Sequence, residues 1–384
     1  MPDPDTRAIA LQALGTCIDR GLSFAAFRLP GNALHLIVQQ HPVVRQADPG
    51  EMDDLQKAFL FDAYSEDHEG PFLLEGVHFG GPSLWTAADL ERLASEEFEG
   101  AHHPGPASPP PTDRSRYDAM LQKAISAIAS GHLGKVVLSR TIDVPVSGID
   151  LPRFFADLMD VHPKVFVCLL QCPAFGRWMG ASPERLVHAT RNRIEVDALA
   201  GTMAIGSAVK KVELWGAKER DEQEHVTQGV LSSLKDLGIS QVNVSGPEVL
   251  NSGAVAHLHS TLTAEIGTVP LMRVVKALHP TAAVCGTPTD AAKDFIRANE
   301  GHDRQLYAGY WGPWNFNGET HLFVNIRCLR HFADHVTLFV GGGITAGSDV
   351  EHEWQETRHK AETLLAALER SQVDGAQRDP ARIP

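Results

Sequence analysis

The chain has 384 residues, 43% of them hydrophobic and 21% charged, with a formal net charge of −14. That length and apolar content suit a globular protein with a sizeable core. The acidic balance excludes broad electrostatic binding to nucleic acid or anionic membrane, and no run approaches the roughly eighteen apolar residues of a membrane span.

The opening residues, MPDPDTRAIALQALG, lack the basic start and continuous apolar stretch of a secretory signal, so none is expected. Strand-like runs follow at 34–39 and 71–77, and a helical pattern at 87–97. Residues 1–100 carry no chemical motif and are assigned to the N-terminal part of one α+β unit. Residues 101–117, AHHPGPASPPPTDRSRY, concentrate proline and small residues that cannot propagate a helix or central strand, and read as a loop or linker.

The region 118–371 holds the recognisable chemistry. Met120, Ala124, Ile125 and Ile128 have helical spacing that stops at Gly131. GKVVLSRTIDVPV alternates as a β-branched strand, and LPRFFADLMDVHP reads as a helix. VFVCLLQCP and GRWMGASPERLVHAT read as strands joined by a turn. A long helix is expected at 218–237, then strands in HLHSTLTAEI, HLFVNIRCLR and HVTLFVGGGI, and a closing helix at 351–371. Residues 372–384 are expected to fray. Antiparallel strands and helices without a regular β-α-β rhythm imply an α+β fold. The five cysteines, odd in number and scattered, read as reduced thiols of a cytoplasmic protein, with Cys168 and Cys172 buried rather than bound to zinc.

Three sets of residues stand out chemically. In KERDEQEHV, Asp221 and Glu224 are three apart and share a helix face, as do Glu353 and Glu356 in EHEWQETRHK, with Lys360 four beyond. Two such faces turned toward each other would make an oxygen-rich pocket suited to magnesium; spacing alone favours solvated, ion-paired helix faces, which are common. Gly341-Gly342-Gly343 would let backbone N–H groups approach an anion, or simply mark a turn. Lys135 and Glu184 would form an acid/base couple if burial tuned both, and are otherwise surface charges.

Taken together, GKVVLSR, GASPERL, ALAGT, KERDEQEHV, HLHSTLTAEI, LHPTAAVCGTP, DRQLYAGYWGP, FVNIRC, GGGI and EHEWQETRHK resemble, in order, the chorismate-utilising enzymes, on the isochorismate synthase branch. The resemblance covers about residues 118 to 370 and implies two large, mostly antiparallel sheets packed together with helices outside. It implies Mg²⁺ held by Glu224 and Glu356, with Asp221 and Glu353 as neighbouring acids. It places Arg327 and Tyr307 on the enolpyruvyl carboxylate of chorismate, Gly341 to Gly343 and Lys360 beside a substrate carboxylate, and Ala200, Gly201 and Thr202 of ALAGT along the substrate. His279 and His257 match pocket-lining histidines.

Within the family, Lys135 stands where the aminating members carry glutamine, and Ala200 where aminodeoxychorismate synthases carry a nucleophilic lysine. Water is therefore the implied nucleophile, and no glutaminase subunit is expected. Lys135 would activate water for attack at C2, and protonated Glu184 would donate to the departing C4 hydroxyl, giving isochorismate for menaquinone or a siderophore. Salicylate synthases share the lysine and glutamate, so that sister reaction stays open, as does a non-catalytic chorismate-binding relative. A monomer and a homodimer are both compatible with the sequence.

Overall fold

The computed structural model describes residues 4–52, 54–65, 70–81, 85–102, 104–204, 211–252 and 255–371; the expected tail, 372–384, lies outside them. Among these residues, two nine-stranded sheets pack together with helices outside, the architecture expected from the resemblance. The first sheet runs in the order Gly286–Thr287, Lys135–Pro145, His335–Ile344, Cys328–His331, Gly176–Ser182, Phe166–Cys172, Phe24–Arg28, Leu34–Val38 and Val77–Gly80. The second runs Val242–Ser252, Val255–Glu265, Arg193–Ala204, Arg185–Thr190, Glu319–Val324, Tyr310–Trp314, Ala58–Asp62, Phe72–Leu74 and Arg45–Gln46. Residues 24–80 thus add strands to both sheets and are part of their shared core.

Between the sheets, side chains from the two inner faces interdigitate. Phe166 of the first sheet stacks on Phe323 of the second, with centroids 4.3 Å apart and planes 2° off parallel. Phe27 and Phe59 meet at 5.4 Å in the same layer. Each such fully buried ring contributes about 1.5–3 kcal/mol over an exposed one. A second core lies on the other face of the first sheet, under the helices Pro4–Asp19, Leu151–Val161 and Val350–Ser371. Leu151, Phe154, Phe155 and Leu158 supply its central stripe at helical spacing. That helix starts where the Asp150 side chain accepts from the Arg153 N–H, with Pro152 in its first turn.

Three runs expected to be single strands are instead crossovers between the sheets. Residues 176–190 split into Gly176–Ser182 in the first sheet and Arg185–Thr190 in the second. Residues 321–330 split between Glu319–Val324 in the second and Cys328–His331 in the first, and 71–77 divides in the same way. Pro183 lacks the N–H a continuing ladder needs, and Arg327 takes a left-handed backbone conformation, φ 51°. The first two breaks dock side by side: Val324 N donates to Glu184 O at 3.0 Å, and Ala181 N to Arg327 O at 3.1 Å. Glu184 and Arg327 are thereby held where the chain steps from one sheet to the other.

The edge strand Val242–Ser252 gave no strand signal because Gly246 and Pro247 interrupt it, and the register shifts between Ser245 and Glu248 around them. The linker region ends earlier than expected: the following helix is Arg114–Ala129, capped by Asp113, whose side chain accepts from Arg116 N at 2.8 Å.

Candidate active site

The site begins on the paired strands Lys135–Pro145 and His335–Ile344, where Gly341, Gly342 and Gly343 oppose Ser139, Leu138 and Val137. The three glycines are therefore extended strand, not the turn or nest that their run suggested. Their bareness makes room. A Cβ on Gly341 would sit 2.7 Å from the Tyr307 hydroxyl, and one on Gly342 3.0 Å from Glu353 Oε2. One on Gly343 would collide with the Glu222 carboxylate and lie 2.9 Å from Lys135 Cε. The Gly341 carbonyl turns away from the paired strand to accept from Lys360 Nζ at 2.9 Å. In an antiparallel strand a residue's N–H follows its C=O to the same edge, so Gly341 keeps a backbone donor on the cavity side.

The helix Ala217–Asp236 brings a different acid from the two expected. Its buried positions Glu222, Val226, Val230 and Leu234 recur every four residues, one stripe against the protein. Asp221 and Glu224 lie on the opposite, exposed face, and Glu224 merely accepts from Gln228 at 2.8 Å. Glu222 takes the place assigned to them. Its Oε1 is 3.2 Å from Lys135 Nζ, without an aligned hydrogen bond, and both groups are buried. The stripe was readable in the sequence, since it continues from Glu222 into aliphatic positions that must be core.

The closing helix Val350–Ser371 turns Glu353 and Glu356 inward as expected. Lys218 contacts Glu353 Oε1 at 2.9 Å, and Lys360 contacts Glu356 Oε1 at 2.7 Å. Burial and the neighbouring Glu356 raise the Glu353 pKa. Burial also opposes ionisation of Glu356, but Lys360 and Lys218 outweigh it and pull that carboxyl down. Burial opposes the Lys218 charge too, yet Glu222, Glu353 and Glu356 raise its pKa overall. Glu353 and Glu356 lie beside each other and, like Glu222, act on Lys218; Glu222 Oε2 and Glu353 Oε2 are buried without a hydrogen-bond partner. Hard oxygen donors with unused lone pairs suit a divalent cation such as Mg²⁺.

The other wall comes from the crossovers. Glu184 is 2% exposed, and burial followed by the nearby Asp197 charge pushes its pKa up to about 8, so it is protonated at neutral pH. Its Oε1 lies 3.4 Å from the Thr281 hydroxyl, which donates. Arg327 Nη2 donates to His257 Nε2 at 2.9 Å, and His257 Nδ1 donates to Gly201 O at 3.0 Å. Burial and Arg327 hold His257 neutral, with a pKa lowered to about 3. Gly201 itself, at φ 67°, makes a bulge between Ala200 and Thr202, and a Cβ there would meet Glu219 O at 2.9 Å.

Lys218, Glu353 and Glu356 line one cleft, which shares Thr202 with a cavity lined among others by Glu184, Ala200, Glu222, His257 and Tyr307. Arg327, Gly341, Gly343 and Lys360 complete it. Most of the expected residues therefore converge. His279 does not: it packs edge-on against Tyr310, at 5.0 Å, in a separate cleft with Asp62 and Lys276. The sequence reading missed Glu222 and Lys218.

Comparison with known proteins places the chain in a family. A model of the chorismate binding enzymes matches residues 81–366. The isochorismate synthase DhbC of Bacillus subtilis is 29% identical over 310 residues, covering 77% of this chain and 76% of its own. A putative isochorismate synthase, MenF, of Mycobacterium tuberculosis is 32% identical over 281 residues, 68% of this chain and 74% of its own. A salicylate biosynthesis isochorismate synthase of Pseudomonas aeruginosa is 31% identical over 67% of this chain; the match spans only 55% of that protein's length. The fold superposes on the menaquinone-specific isochorismate synthase MenF of Escherichia coli with a TM-score of 0.71 at 24% identity, over 90% of this chain and 88% of that one. With a family match over most of its length, the chain belongs to the chorismate-binding enzymes.

Proposed function

We propose that this protein converts chorismate to isochorismate, adding water at C2 as the C4 hydroxyl leaves. The observation that carries this reading is Glu184, a carboxyl whose burial keeps its proton at neutral pH, on the wall of the same cavity as Arg327 and Gly341. A protonated carboxyl can give its proton to a departing hydroxyl. Lys135, fully buried beside Glu222 of the same cavity, is the base for the attacking water, and Glu222 at 3.2 Å fixes its position. Arg327, oriented by neutral His257, and the Tyr307 hydroxyl hold the enolpyruvyl carboxylate. Tight packing around Lys135 and Glu184 excludes bulk water from the reacting carbons.

Glu222, Glu353 and Glu356 would hold Mg²⁺, which when bound supplies positive charge for the ring carboxylate and polarises the conjugated ring. Relatives named isochorismate synthase support the reaction, and the choice of lysine at 135 supports water over ammonia, without a glutaminase partner. The product would serve menaquinone or siderophore synthesis; the similar MenF of Escherichia coli is named as menaquinone-specific. The five cysteines are buried and unpaired, and no helix among the described residues is long and apolar enough to cross a membrane; we place the enzyme in the cytoplasm, as a monomer or homodimer.

The test is incubation of purified protein with chorismate and Mg²⁺, with products separated by chromatography. Isochorismate as the released product is expected. Salicylate with pyruvate would assign the sister reaction instead, and no turnover by folded, metal-supplied protein would overturn the proposal.

A further inference from the structure

A second constellation of ligating groups lies outside the catalytic cavity and shares no lining residue with it. His188 of Arg185–Thr190 and His321 of Glu319–Val324 are directly opposed across the antiparallel pair. Their rings stack at 4.2 Å and 8° from parallel. Glu319, two residues before His321 and so on the same face, sends Oε2 to both: 3.0 Å to His321 Nε2 and 3.4 Å to His188 Nε2. The His188 contact is not a hydrogen bond, and that buried nitrogen has no other partner. On its far side, His188 Nδ1 faces Glu195 Oε2 at 3.6 Å, while Arg185 holds the same oxygen at 2.7 Å.

The strand pair explains why the cluster stays open. Two residues beyond His321, Phe323 stacks on Phe166 in the inter-sheet core, so one face of the strand runs from that core outward. The histidines line a cleft and are only about one-fifth exposed, whereas Glu319 is 47% exposed. Two imidazoles and one carboxylate are the donor set of a zinc site with one position left for water. A carboxylate behind the first imidazole is the usual outer partner that orients such a ligand.

We propose that His188, His321 and Glu319 bind one zinc-class divalent ion, clasping Arg185–Thr190 to Glu319–Val324 with Glu195 orienting His188. The ligand atoms already lie within 4.8 Å of one another, so small side-chain rotations bring them to one centre. The five cysteines are buried, so no surface thiol among the described residues competes. This inference does not depend on the reaction proposed for the cavity.

The test is calorimetric titration of the whole protein with Zn²⁺ alone, in buffer holding millimolar Mg²⁺, with thermal melting in parallel. Wild type is expected to bind one Zn²⁺ per chain and to melt at higher temperature with it. His321→Asn and His188→Gln are expected to weaken that event at least tenfold and abolish the rise in Tm. Glu319→Gln, at an exposed position that leaves the fold untouched, is expected to weaken it by a smaller factor. Absence of stoichiometric Zn²⁺ binding in wild type would overturn the proposal, as would unchanged binding in the folded Glu319→Gln protein together with either histidine variant.

Discussion

Lys135 Nζ and Glu222 Oε1 lie 3.2 Å apart, buried, on elements that are remote in sequence: a strand of the first sheet and the face of a helix. Gly343 allows this meeting, because any side chain on that strand position would occupy the space of both groups. The contact identifies which acid of the helix belongs to the site.

Exchange of the two helix acids therefore has unequal consequences. Glu222→Gln is expected to cost at least tenfold in turnover and to raise the Mg²⁺ concentration needed for half-maximal rate at least tenfold. Glu224→Gln, exposed and hydrogen-bonded only to Gln228 in the described structure, is expected to stay within about twofold of wild type. A Mg²⁺ titration of initial rates on both variants decides; equal, large effects would return Glu224 to the site.

Loss of the proposed base or acid is expected to reduce kcat by about 10²–10⁴-fold, the usual contribution of one general acid–base group. Lys135→Gln and Glu184→Gln are the variants, with circular dichroism to establish that each folds. Near-normal turnover in either would remove that residue from its role.

The raised pKa of Glu184 predicts two pH effects with one sign. Its folded value of about 8 lies above the ordinary carboxyl value of about 4.3, so the folded state holds a proton that the unfolded chain releases. The stability from this group is complete below about pH 4.3 and is lost as pH rises through about 8. Turnover falls over the upper part of that range, as the acid loses its proton. Denaturant unfolding between pH 5 and 9 checks the first effect: wild type is expected to lose stability relative to Glu184→Gln as pH rises. The kcat profile checks the second, with an alkaline limb near pH 8.

Gly343→Ala is expected to destabilise the fold by about 1–3 kcal/mol through overpacking and to lower turnover by displacing Lys135 and Glu222. Gly131, which has nothing within 4 Å of its Cβ position and φ 79°, is a control: alanine there costs only backbone strain and should leave turnover intact. Thermal melts and initial rates on both proteins separate the two causes.

Composition, hydrophobic period and motif order sufficed for the α+β class and for most strands and helices after residue 118, and the resemblance singled out Lys135, Glu184, Arg327, Glu353 and Glu356, all of which the fold buries. These are local properties: alternation marks a strand, a stripe marks a helix, and each motif is read within about ten residues. What tertiary structure alone decided is which sheet each strand joins. GRWMGASPERLVHAT and HLFVNIRCLR alternate as if continuous, because alternation reports burial of a face and not the identity of the partner. Only pairing shows that each run changes sheet beside Glu184 and Arg327. Asp221, Glu222 and Glu224 are equivalent as acids; the aliphatic stripe continuing from Glu222 marks the one that faces the core, but only the tertiary structure shows that it meets Lys135 in the space above Gly343. His279 differs from His257 for the same reason: a motif supplies the imidazole, but the path of the chain determines the cavity it reaches.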